Sequence, residues 1–117
     1  MIVDDDDAIR VLVSRVLERA GYRVKLACDG LEALKLIDAT PPDLVISDIN
    51  MPELDGFAMV EGLRNRAETE KMPVIFITAS EDSSLFIRSA NLKARSFLIK
   101  PFTNDKLVEK VRLALGR

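Results

Sequence analysis

The 117-residue chain has no histidine and a single cysteine, Cys28. Without an imidazole it can run no Ser-His hydrolase chemistry, build no His-containing zinc site and supply no phosphohistidine of its own. One cysteine forms no internal disulfide, and no residue near Cys28 in sequence would lower its pKa, so it reads as a small packed residue rather than a reactive thiol. No apolar run approaches the roughly 18 residues of a membrane span, and no basic-then-apolar leader is present, which argues against secretion and for a cytoplasmic location. Charge of one sign is lacking too. The 17 Lys and Arg and 19 Asp and Glu are interspersed for a net −2, which leaves no basic stripe to follow a phosphate backbone, so nucleic-acid binding by this chain alone is disfavoured. Aromatics are few, yet 48% hydrophobic and 31% charged residues are the composition of a globular protein, and one domain over residues 1–117 can bury about two-thirds of its unfolded surface.

Short apolar runs of the strand type occur at 1–3, 23–27, 44–47, 74–77 and 97–99. Helical periods fill the spaces between them. Ile9, Leu12, Val13, Val16, Leu17 and Ala20 follow the i, i+3, i+4, i+7 rule and stop at Gly21, a C′ position. A second helix starts near Asp29, which has capping-box spacing to Glu32, and must end before Pro41-Pro42. A third follows Gly56 with Phe57, Val60 and Leu63 on one side, and a fourth covers Asp82 to about Asn91. The last starts near Thr103, buries Leu107, Val108, Val111, Ala114 and Leu115, and ends at Gly116-Arg117, where a linker would begin in a longer parent. Strands alternating with helices predict an α/β doubly wound, five-stranded parallel sheet with five helices. The first run is short for a strand near a sheet centre, which points to residues missing at the N-terminus.

Ligands of such sheets bind outside the carboxyl ends of the strands, where the strand order reverses. The first strand ends on Asp4-Asp5-Asp6-Asp7, the third on Asp48, the fourth on Thr78-Ala79-Ser80 and the fifth on Lys100-Pro101. Asp6 and Asp7 are accounted for as helix-capping acids. Asp4, Asp5 and Asp48 are not, because each close pair of carboxylates repels by roughly 4 kcal/mol at 4 Å and an effective dielectric near 20. Either protons or a cation must relieve this; a hard divalent ion does so well, and Mg²⁺ is commonly held by one or two carboxylates while keeping water and phosphate oxygens. Lys100 is a solvated surface lysine if judged alone; beside an acid cluster it can offset charge and grip an anion. With the hydroxyl of Thr78, these groups form a kit for phosphoryl transfer onto a carboxylate.

The motifs V-D-D at 3–5, D-I-N-M-P-E-L-D-G at 48–56, I-T-A at 77–79 and F-L-I-K-P-F at 97–102, in this order, resemble the receiver domains of bacterial two-component response regulators over essentially the whole chain. The resemblance implies a flavodoxin-like sheet of order 2-1-3-4-5 and a phosphoryl group taken from a histidine on a partner, either a sensor histidine kinase or a histidine phosphotransfer protein. Asp48 would be the phosphoacceptor. Asp5 would bind Mg²⁺ (or Mn²⁺) directly, with Asp4 acting largely through water and Asn50 lending its backbone carbonyl. Thr78 and Lys100 would hold phosphoryl oxygens, and Lys100-Pro101 would be a cis peptide bond.

Phe97 falls at the family's aromatic switch position; it is equally readable as a plain core aromatic. As a switch it would remodel the face of the fourth helix, fifth strand and fifth helix, read by a downstream output protein or an attached output domain, with phosphorylation-linked homodimerisation through the same face. Lys93 stands where many relatives have glycine, so Asn91 is expected to take the left-handed turn. Asn50 and Ser80 occupy positions thought to tune dephosphorylation. Two rivals remain. A phosphatase acting on small metabolites would generally carry a second acid two residues after the nucleophile, where this chain has Asn50. A receiver-like scaffold that never takes phosphate would have no need to keep Asp5, Asp48, Thr78 and Lys100 together.

Overall fold

In the computed structural model, which describes residues 1–116, strand β1 (Ile2–Val3) leads into helix α1 (Asp7–Arg19), followed by β2 (Leu26–Ala27), α2 (Gly30–Ala39), β3 (Val45–Asp48), α3 (Gly56–Arg64), β4 (Val74–Thr78), α4 (Ser83–Asn91), β5 (Ser96–Ile99) and α5 (Asn104–Leu115). All strand pairs are parallel and the sheet order is β2-β1-β3-β4-β5. This is the flavodoxin-like order that the motifs imply. Arg117, the last residue of the expected helix end, lies outside the described residues.

The period-two geometry of strands explains how so short a chain fills two layers of core. Val45 of β3 and Val74 and Phe76 of β4 point into one core with Ala33, Ile37, Phe57, Val60 and Leu63 of α2 and α3. Their neighbours Ile46, Ile75 and Ile77 point the other way, against Val13 and Leu17 of α1 and Leu107 and Val111 of α5. Burial on both faces is why these strands read as continuous apolar runs instead of alternating ones. Each such side chain contributes about 1.5–3 kcal/mol on leaving water.

Helix starts follow the sequence signals. Asp6, Asp29, Asp55, Asp82 and Thr103 are the N-caps of the five helices, each accepting hydrogen bonds from the first turn. At α2 the box is shifted, because Glu32 reaches past Asp29 to the N–H of Cys28 at 3.1 Å. Gly21 ends α1 with φ +97°; its N–H donates to Glu18 O and that of Tyr22 to Leu17 O, the double bond of a Schellman motif.

Four expectations need correction. The left-handed residue after α4 is Lys93 (φ +60°), not Asn91. Lys93 N–H donates to Ala90 O and Ala94 N–H to Ser89 O, so the same Schellman pattern as at Gly21 fixes which residue must turn. Leu12 is 53% exposed and Ala20 is exposed, because only Val13, Ser14 and Leu17 of α1 are buried. Cys28 is exposed instead of packed, at the open end of β2. Finally, β2 shrinks to two residues, since Arg23–Val24 lie beside no β1 residue, although Lys25 O still accepts from Ile2 N–H at 2.8 Å.

Helix α4 is fastened differently from the rest. Its one buried residue is Ser89. Its Leu85 is partly buried against the core, Phe86 stacks edge-on against Phe97 of β5 with centroids 6.0 Å apart, Arg88 lies 4.3 Å over the ring of Phe57 in α3, and Arg64 Nε donates to Leu92 O at 2.9 Å. Among the described residues, no helix is long and apolar enough to cross a membrane.

Candidate functional site

Parallel strands deliver their carboxyl ends to one rim, and the residues there converge. Carboxylate oxygens of Asp4, Asp5 and Asp48 all lie within 4.8 Å of one another. Asp4 and Asp48 are 2% and 9% exposed, whereas Asp5 faces outward. Lys100 turns to the acids instead of standing free in solvent: its Nζ lies 3.4 Å from Asp4 Oδ2 and 3.6 Å from Asp48 Oδ2, with 21% of the side chain exposed. The Lys100-Pro101 peptide is cis.

The rim is charged beyond what one lysine neutralises. Burial pushes the Asp48 carboxyl up from its ordinary value and the Asp4 charge adds to this, while Lys100 and the backbone N–H groups of Asn50 and Ile49 oppose it. Three hard oxygen donors, with no nitrogen or sulfur ligand among them, suit Mg²⁺ or a similar cation, so the residues fit the group the motifs imply.

Backbone contacts fix where Asp48 stands. Ile49 N–H continues the ladder to Ile77 O at 3.1 Å, Gly56 N–H returns to Ile49 O at 2.9 Å, and the buried hydroxyl of Ser47 donates to Asp48 O at 2.8 Å. The loop between these anchors turns at Glu53, whose φ of +66° is left-handed. A Cβ on Gly56 would stand 2.3 Å from Asp48 O, so only glycine lets α3 start against the strand. Sequence reasoning read Gly56 as a simple turn and passed over Ser47, since their partners are backbone atoms.

The other predicted residues lie at the same edge. Thr78 is fully buried at the end of β4; its Oγ1 accepts from Ser80 N–H at 3.1 Å, and its carbonyl accepts from Lys100 N–H at 2.7 Å. Asn50 is exposed two residues beyond Asp48. Phe97, paired with Phe76 in register, is half-buried, packs against the core and meets α4 through Phe86.

Residues 1–112 match the response regulator receiver domain family. The chain belongs to that family. As a receiver domain of two-component systems, it acts in phosphorylation-dependent signalling. It is 37% identical over 117 residues to a probable chemotaxis protein CheY of Rhizobium etli, covering 99% of this chain and 91% of that one. It is 38% identical to the DNA-binding dual master transcriptional regulator RpaA of Synechocystis sp., covering 100% of this chain and 48% of the relative; the receiver thus spans about half the length of that protein. The crystal structure of a putative response regulator from Chloroflexus aurantiacus superposes with a TM-score of 0.94 at 37% identity, covering 99% of this chain and 95% of the other.

Proposed function

We propose that this receiver is a phosphorylation-operated switch that takes a phosphoryl group from a partner phosphohistidine onto Asp48. The observation that carries the reading is the convergence of three carboxylates and Lys100 on one rim. An Oδ atom of Asp48 attacks phosphorus as the P–N bond of the donor breaks, and the leaving imidazole takes up a proton. Mg²⁺, held by Asp5, Asp48 and the Asn50 carbonyl with Asp4 acting through water, would supply neutralisation of the phosphoryl oxygens. Lys100, now bridging Asp4 and Asp48, is in reach to pair with one phosphoryl oxygen and Thr78 with another. Catalysis of this kind is positioning and electrostatics, which the chain performs on itself rather than on a small-molecule substrate.

Output runs through Thr78 and Phe97 to the face of α4, β5 and α5. Phe97 already touches the helix with the fewest buried residues, Ser89 alone being buried in α4, so a small bias at Thr78 has a shallowly held element to move. Its readers are a downstream protein or an attached output domain, and a cytoplasmic sensor histidine kinase or phosphotransfer protein is the donor. Acetyl phosphate with Mg²⁺, followed by intact-mass spectrometry, tests the reading: wild type gains one phosphoryl group and Asp48→Asn gains none. An adduct in both proteins would place the acceptor elsewhere, and an adduct in neither would favour a scaffold.

A further inference from the structure

We infer that Arg10 is a positioning residue for the cation-binding carboxylates, held in place by Asp7. The inference rests on the reading of the rim as a divalent-cation site. Arg10 lies in the first turns of α1, where its own N–H donates to Asp6 O. Its guanidinium reaches back along the chain: one nitrogen donates to the carbonyl oxygen of Asp4 at 2.6 Å, and the other pairs with the Asp7 carboxylate. The Arg10 side chain is 16% exposed, against 87% for Asp7.

The grip falls on a consequential peptide. The Asp4 carbonyl and the Asp5 N–H belong to one rigid plane, so a donor fixed on that oxygen sets the direction in which Asp5 leaves the strand. Asp4 is secured on its other sides, with its N–H donating to Ala27 O and its carboxylate accepting from Asp6 N–H and Lys100. Asp5 is exposed, and its aim toward Asp48 depends on the plane from which it hangs. The run of four acids then divides its labour: two bind, Asp6 caps, and Asp7 steadies the arginine.

A cation beside a cation site could also repel the metal, so two effects compete. The exposed Asp7 carboxylate and solvent offset part of the arginine's charge, whereas the hydrogen bond to Asp4 O acts at 2.6 Å and is charge-assisted. Positioning wins, and removal of Arg10 should weaken metal binding rather than strengthen it.

Calorimetric titration of the full chain with Mg²⁺, without any phosphodonor, tests this alongside amide NMR shifts at Asp5 and Asp6. Loss of a partner that orients a metal ligand typically costs ~10–100-fold in affinity, so Arg10→Met is expected to bind Mg²⁺ about tenfold more weakly with the Asp5 amide displaced. Arg10→Lys keeps the charge without the two-pronged grip and should fall between, about threefold weaker; it decides the matter alone if the methionine variant does not fold. Asp7→Asn, which removes only the exposed second anchor of Arg10, should weaken binding by about twofold, and unchanged affinity would mean that Asp7 does not hold Arg10 in place. Unchanged or tighter binding in Arg10→Met, or wild-type affinity in Arg10→Lys, would overturn the role of Arg10 alone. A wild type that binds no Mg²⁺ would overturn the reading of the rim and this inference with it.

Discussion

Gly56 and Asp48 are locked backbone to backbone: the site of a Gly56 Cβ lies 2.3 Å from the Asp48 carbonyl oxygen and 3.1 Å from Ile49 Cα. Alanine would gain about 1 kcal/mol of helix propensity, but it cannot enter without moving the strand end that carries the carboxylate. Overpacking against backbone prevails, and Gly56→Ala should lose about 2 kcal/mol of stability in urea denaturation. Gly62, whose Cβ would meet open space, is the control, and Gly62→Ala should gain stability.

Asp48 makes the fold pH-sensitive in a definite direction. Its carboxyl is pushed up from the ordinary value of 3.8, first by burial and then by Asp4. An acid whose folded-state pKa is raised favours the native state fully only below the unfolded value and loses that favour as pH rises through the folded-state pKa. Without metal, Asp48→Asn should therefore be more stable than wild type at pH 7, by on the order of 1 kcal/mol. The difference should vanish below about pH 3.8, as followed by thermal melts across pH.

If the rim holds Mg²⁺ as proposed, added Mg²⁺ should raise the melting temperature, because only the folded chain brings Asp4, Asp5 and Asp48 together. At a hundredfold excess over its dissociation constant the gain is about 2.7 kcal/mol. Matched ionic strength from NaCl should not reproduce it, and Asp5→Asn should remove most of the shift.

Lys93 sits in the left-handed region at φ +60°, where a side chain costs roughly 1–2 kcal/mol. Glycine relieves this at some cost in unfolded-chain entropy, so Lys93→Gly should stabilise by about 1 kcal/mol. Gly21→Ala, at φ +97°, should do the opposite in the same denaturation assay.

The contrast between those two residues shows what the sequence makes legible. Gly21 announces its turn because its preference and its conformation agree. Lys93 does not, because the Schellman bonds around α4 impose the conformation against its preference. Asp6 and Asp29 are legible as caps, and Asp82 and Thr103 as helix starts, since a cap acts on residues next to it. Asp4, Asp5, Asp48, Thr78 and Lys100 were readable as one rim, since parallel topology dictates which chain ends meet. Arg10 and Ser47 escape notice, and so does the close approach at Gly56, because each addresses a backbone atom, and a carbonyl has no letter of its own. Leu12 misled for another reason: the apolar stripe written along α1 is wider than the strip of helix the sheet covers.

Helix α4 rests on the core through the partly buried Leu85 and has a single buried residue, Ser89, so it is the helix least deeply seated in the molecule. A fluorophore placed on its outer side at Ile87, which is 58% exposed, would report shifts of this segment while leaving the buried residues untouched.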